Sequence, residues 1–215
     1  MEKKDISILF ITIAGNELGY GHLNRCLSLA GHASKRGCPI SFLLFGDADA
    51  SARVSCAGFE CLLKPIIDLG AQLVEALPDY TNVADVAITD FSHQDIFPNL
   101  KAIHQILNAI CSQIERVVII DALGSQSIAN KMSGMPIDIL VAPYVGAKTP
   151  TNTSYRILKG PSYALLGLAY SDINERVIRH TAERILVSCG GSDPTNLTTL
   201  VLDGINQISR SLEVR

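Results

Sequence analysis

Five short stretches of this 215-residue chain hold side chains able to move protons or bind anions. In GYGHLNR (19–25), Gly19, Tyr20 and Gly21 lead into His22, and Arg25 follows three residues later. A neutral imidazole takes a proton from water near pH 7, so His22 is a candidate general base. The positive end of a helix dipole disfavours imidazolium and so favours that neutral ring. Arg25, on the neighbouring surface at i+3, is a candidate for holding an anionic group. The bland alternative is a glycine-rich corner with a solvent-facing histidine, and the motif alone leaves both open. Two phosphate-loop templates do fail. Position 24 is Asn, which breaks G-x-G-x-x-G, and the stretch does not fit G-x-x-x-x-G-K-[ST] either. What remains is a flexible loop opening a helix, whose free N–H groups suit an anion or a polarised oxygen.

The other four stretches sit at similar corners. TDFSHQD (89–95) follows an expected strand and puts Asp90 at its C-terminal end, with Asp95 as a helix cap; His93 with these two matches no metal-ligand spacing. VVIIDALG (117–124) ends a second strand in Asp121. Two rim aspartates can serve as acid and base, but capping or orienting a loop is the simpler role for Asp121. GPSYALL (160–166) offers Ser162 and Tyr163, either to a ligand or to packing. In SCGGSDPTN (188–196), Gly190 and Gly191 follow a strand, Ser192 or Asp193 can cap the next helix with Pro194 near its start, and Asn196 closes the block. The glycine N–H groups could meet a phosphate, which Asp193 would repel unless it caps the helix.

These stretches need a frame to hold them. Apolar runs at 6–14, 39–45, 58–63, 83–89, 116–121 and 137–143 read as strands, most of them buried on both faces. Between them, 22–36, 49–57, 68–77 and 95–114 read as helices; Leu23, Cys26, Leu27, Ala30 and Ala33 share one face of the first. Such alternation predicts an α/β fold, a Rossmann-like parallel sheet with helices on both faces, and puts the strand C-terminal ends along one rim. The pattern lapses at 143–160, a helix is expected at 172–183, and a strand–turn–helix unit restarts at 184. The expected division is an N-terminal Rossmann-like domain at 1–160, a crossover at 161–183 and the opening of a second domain at 184–215. That last unit is too short to bury its own core, so a truncated or split second domain is expected; the alternative is that it extends the first sheet.

Bulk properties narrow the function classes. Hydrophobic residues make up 47% of the chain, and the net charge of −3 gives no general pull on nucleic acid or an anionic membrane. The N-terminal apolar run is too short to span a bilayer and lacks a leader's cleavage site. The six cysteines form no C-x-x-C pair and read as reduced thiols packed in a cytoplasmic protein's core.

Taken in order, GYGHLNRCLSLA, the strand ending in Asp90, IID, DILVAPY, GPSYALL and ILVSCGGSDPTNLT resemble one family over nearly the whole chain. It is the UDP-2,4-diacetamido-2,4,6-trideoxy-β-L-altropyranose hydrolases of pseudaminic acid biosynthesis, whose wider relatives are two-domain nucleotide-sugar enzymes of the GT-B fold. The resemblance implies that His22 is the catalytic base, activating a water that attacks the anomeric carbon and expels UDP with inversion. It implies that Gly19, Tyr20, Gly21, Arg25 and Asp90 shape the sugar and diphosphate site. Ser162, Tyr163, Gly190, Gly191, Ser192, Asp193 and Asn196 would lie along the interdomain cleft near the nucleotide. No metal or redox cofactor is implied; the partner is a UDP-sugar, together with whatever completes the second domain. Two departures stand out. The family's Asp-His-Tyr after the fourth strand is Asp90-Phe91-Ser92 here, and the family's second domain is represented by one strand and one helix. A GT-B glycosyltransferase, with an acceptor hydroxyl in place of water, or a non-catalytic sugar-nucleotide-binding domain are the alternatives.

Overall fold

The computed structural model describes residues 6–67, 69–80, 84–92, 100–122, 127–171, 173, 177–178, 180–189, 193, 195–208 and 213–214. Seven parallel strands form the main sheet: β1 (Ile8–Ala14), β2 (Ile40–Gly46), β3 (Glu60–Lys64), β4 (Val86–Asp90), β5 (Arg116–Ile120), β6 (Ile139–Ala142) and β7 (Arg156–Lys159). Their spatial order is β3-β2-β1-β4-β5-β6-β7. The order reverses between β1 and β4, and at such a switch point the loops above the two strands part to leave a crevice. Four helices follow four of the strands: α1 (Gly21–Ser34), α2 (Ala48–Cys56), α3 (Leu69–Ala76) and α4 (Leu100–Gln113).

Residue parity on β1 sorts the two faces. Leu9, Ile11 and Ile13 enter a core with Leu73 of α3 and Ile103, Ile106, Leu107 and Ile110 of α4. Phe10 and Ala14 enter a second core with Leu23, Cys26 and Ala30 of α1 and Ala50 and Val54 of α2. Helices therefore cover both faces, as the alternating pattern predicts. Thr12 has the parity of Phe10 and Ala14, so its hydroxyl is aimed into the apolar layer under α1. On β4, Ile88 belongs to that same layer, and Asp90 shares its parity.

The loops on the rim are fitted closely. Gly46 closes β2, where a Cβ would fall 2.1 Å from the Ala14 carbonyl oxygen; no larger residue fits. Gly19 takes φ 77°, the left-handed region that glycine adopts without strain. Its N–H and C=O pair back with Gly15 at 2.8 and 3.3 Å, pinching residues 15–19 into a tight loop before α1. Asp47 ties that loop to α2: Oδ1 accepts from Ala50 N at 2.9 Å and Oδ2 from Asn16 N at 3.0 Å.

One expectation is corrected. The stretch 143–160 is not wholly irregular, because RILK forms β7 beside β6. The helix expected at 172–183 falls partly outside the described residues; of those described, Val177 and Ile178 are 83% and 84% exposed. The unit after 184 does not extend the first sheet. Its strands β8 (Arg184–Ile185) and β9 (Glu213–Val214) flank α5 (Leu197–Asn206) in sequence and pair with each other in a separate two-stranded parallel sheet. All six cysteines are free, but only Cys26 is buried; Cys56 is exposed and the others are half-buried. Among the described residues, no helix is long and apolar enough to cross a membrane.

Candidate active site

The switch point brings the end of β4 against two neighbouring side chains of α1, 65 and 68 residues away in sequence. Asp90 ends β4, and its carboxyl group is fully buried. His22 occupies the first turn of α1 and is 8% exposed. Its Nδ1 lies 2.6 Å from Asp90 Oδ1. Arg25 donates from Nε to Asp90 Oδ2 at 2.7 Å and from a terminal nitrogen to Oδ1 at 2.9 Å, a forked ion pair. That terminal nitrogen also lies 3.0 Å from His22 Nδ1, but both atoms converge on Oδ1 as donors. An ionised carboxylate can only accept, so Nδ1 carries a proton toward Asp90. The imidazole is thereby fixed as the tautomer with a bare Nε2. That atom makes no hydrogen bond within the described residues, and it is absent from the sealed, unpaired polar atoms, so it meets solvent.

Charge keeps this arrangement in place. Burial works against the Arg25 cation, but hydrogen bonding and attraction to Asp90 outweigh it and raise the guanidinium above its usual range. Arg25 stays charged, and its other terminal nitrogen makes no hydrogen bond to a described residue. No side chain caps α1 and no acid stands in its first turn, so its N–H groups remain open to an anion. Tyr20 holds the approach: its hydroxyl donates to Asn16 Oδ1 at 3.0 Å, and the Arg53 guanidinium stacks 3.9 Å from its ring centre.

The remaining sequence candidates lie elsewhere or are already engaged. Gly19, Tyr20 and Gly21 form the loop and helix start beside His22. Asp90 faces inward with both oxygens used, so it stands behind the histidine rather than against a ligand. Ser162 and Tyr163 lie exposed in a short turn after β7, with no hydrogen bond to His22, Arg25 or Asp90. Asp193 caps α5, accepting from Leu197 N at 2.8 Å and Thr198 N at 2.9 Å. The Thr198 and Leu197 donors hold its carboxyl below its usual range. Asn196 sits at φ 52° before that helix, its Oδ1 taken by the Thr199 hydroxyl. Gly190, Gly191 and Ser192 lie outside the described residues, as do His93, Asp95 and Pro194.

A second buried aspartate stands two strands along from β1. Asp121 follows β5 and accepts from Ile128 N at 2.7 Å, from the Ser127 hydroxyl at 2.8 Å and from the Tyr144 hydroxyl. Burial and the Asp121 charge push the Tyr144 phenol up to about 12. Asp121 thus ties down a loop, the role its sequence position suggests. Among the described residues, no three His, Cys, Asp or Glu side chains converge as metal ligands.

No family model matches the chain. A protein of Methanocaldococcus jannaschii, Uncharacterized protein MJ1062, is 24% identical over 97% of this chain and 42% of its own length. The spore coat polysaccharide biosynthesis protein SpsG of Bacillus subtilis is 26% identical over 90% of this chain and 53% of its own. The chain therefore spans about half the length of these curated relatives. Among solved structures, MurG of Acinetobacter baumannii superposes with a TM-score of 0.58, covering 97% of this chain and 59% of MurG at 13% identity. That likeness is one of fold: the Rossmann-like α/β sheet of GT-B enzymes.

Proposed function

We propose that this chain carries the general base of a hydrolase that removes UDP from a UDP-linked diacetamido-trideoxy sugar, in nonulosonic acid assembly for a surface or flagellar glycan. The observation that carries the reading is the 2.6 Å contact between His22 Nδ1 and Asp90, which leaves Nε2 bare at the sheet's switch point. In this reading Nε2 takes a proton from a water whose oxygen attacks the anomeric carbon. The bond from that carbon to the diphosphate oxygen breaks, and its electron pair leaves with UDP. Attack opposite the leaving group inverts the centre. Asp90 stabilises the imidazolium as it forms, and Arg25 holds the Asp90 carboxylate in place through its forked ion pair. The open N–H groups of α1 and the unengaged Arg25 nitrogen suit the charge gathering on the diphosphate.

A second reading exchanges the water for an acceptor hydroxyl, making the reaction a glycosyl transfer. The identity with a polysaccharide biosynthesis protein and the MurG-like fold favour it. One experiment separates the two. The full-length protein is given the UDP-sugar in 18O-labelled water, with and without candidate sugar acceptors. Hydrolysis predicts UDP release without acceptor and one labelled oxygen at the sugar's anomeric position. Release that needs an acceptor, with no label in the product, supports transfer. No UDP release under either condition contradicts both.

A further inference from the structure

The layer beneath the site holds two polar side chains where aliphatic ones would pack. Thr12 is fully buried in the middle of the sheet, among residues that are otherwise apolar. Its hydroxyl donates to the Asp90 carbonyl oxygen at 2.8 Å, although the two residues already face each other in the β1–β4 register. Cys26 of α1 is also fully buried in this layer, and burial, then the charge of Asp90, push its thiol well up, so it stays protonated. His22 and Arg25 meet the Asp90 carboxylate from α1, and Thr12 meets the Asp90 carbonyl from β1.

A buried hydroxyl in a central strand costs stability unless its bonds are made, and valine would fill the same space without that cost. We propose that Thr12 is a positioning residue, a buried strut that fixes the height of Asp90 against β1 and so sets the His22 Nδ1–Asp90 contact. The strut touches neither solvent nor any ligand, and it acts only through Asp90. This inference rests on the reading of His22 as the base, but its geometric part can be measured without turnover.

The test is Thr12→Val, with Thr12→Ser as the restoring variant, in the full-length protein. The readouts are the far-downfield proton resonance of the His22 Nδ1–H and the kinetics of UDP release. Thr12→Val is expected to shift or broaden that resonance and to lower kcat about tenfold at unchanged KM, while Thr12→Ser returns both. Should Thr12→Val fold poorly, Thr12→Ala removes the same hydroxyl without a bulkier side chain and is expected to move the resonance the same way with a similar loss of kcat. An unmoved resonance in the folded variants overturns the proposal, as does a parental kcat in Thr12→Val. If the parent releases no UDP, the functional reading fails, and the resonance alone still decides whether the strut positions His22.

Discussion

Asp90 and Asp121 are both buried aspartates at the C-terminal ends of strands on the same rim, and their surroundings make them different tools. Asp90 is met by a guanidinium and an imidazole, one a permanent cation and the other able to become one. Its negative charge is matched by Arg25 and faces the imidazole through Nδ1. Asp121 is met by a backbone N–H and two hydroxyls, all neutral donors. These donors satisfy its carboxylate, although its charge also reaches Arg25 and adds a little to what raises that guanidinium. The first arrangement suits chemistry, and the second suits holding residues 127 and 128 against the end of β6. What separates the two aspartates is who donates to them; burial and strand position are shared.

The comparison can be broken most sharply at Asp90. In Asp90→Asn a single oxygen must serve both His22 and Arg25, and the amide N–H groups oppose those of Arg25. UDP release is expected to fall by roughly 10²–10⁴, since the base loses both its orientation and the partner for its charge. Denaturant unfolding should also show a loss of about 2 kcal/mol. That is below the penalty for a sealed pair, because the Arg25 side chain is 31% exposed and water recovers part of the lost attraction. Asp121→Asn should reverse the balance. Two of its three donors lose a good acceptor, unfolding stability falls by about 1–3 kcal/mol, and turnover stays near the parent's. A large turnover loss with unchanged stability in Asp121→Asn would place Asp121 in the chemistry instead.

The smallest effect concerns Tyr144. Its folded-state value near 12 lies above the usual 10.0, so the unfolded chain gives up the phenol proton first as pH rises. The stabilisation is fully present below pH 10 and is lost as pH climbs toward 12. Tyr144→Phe removes this titration, so its stability should decline less steeply than the parent's across that window, as read by urea midpoints at pH 9 to 12. An unchanged slope would mean that the phenol is not held protonated by Asp121.

Local signals made much of this legible in the sequence. The first six strands and the four helices of the main sheet follow from hydrophobic periodicity, because strands covered on both faces must be apolar throughout. β7 escaped because RILK is four residues long, lies at the sheet's edge and buries only its middle pair partway. His22 and Arg25 were legible as a pair, since i and i+3 share a helix face. Their convergence on Asp90, 68 and 65 residues away, was not. That contact depends on β4 pairing with β1, a choice of strand order that no local pattern encodes. The same distance hid Thr12, which in sequence is one more β-branched residue of a buried strand.

The central claim, that His22 held by Asp90 is the base, is tested most directly by the turnover of His22→Ala in UDP release, measured beside its unfolding midpoint. The account predicts a loss of roughly 10²–10⁴ in turnover while the variant still folds, its unfolding midpoint showing the smaller cost of leaving Asp90 to Arg25 alone. Parental turnover in a folded His22→Ala protein would contradict it.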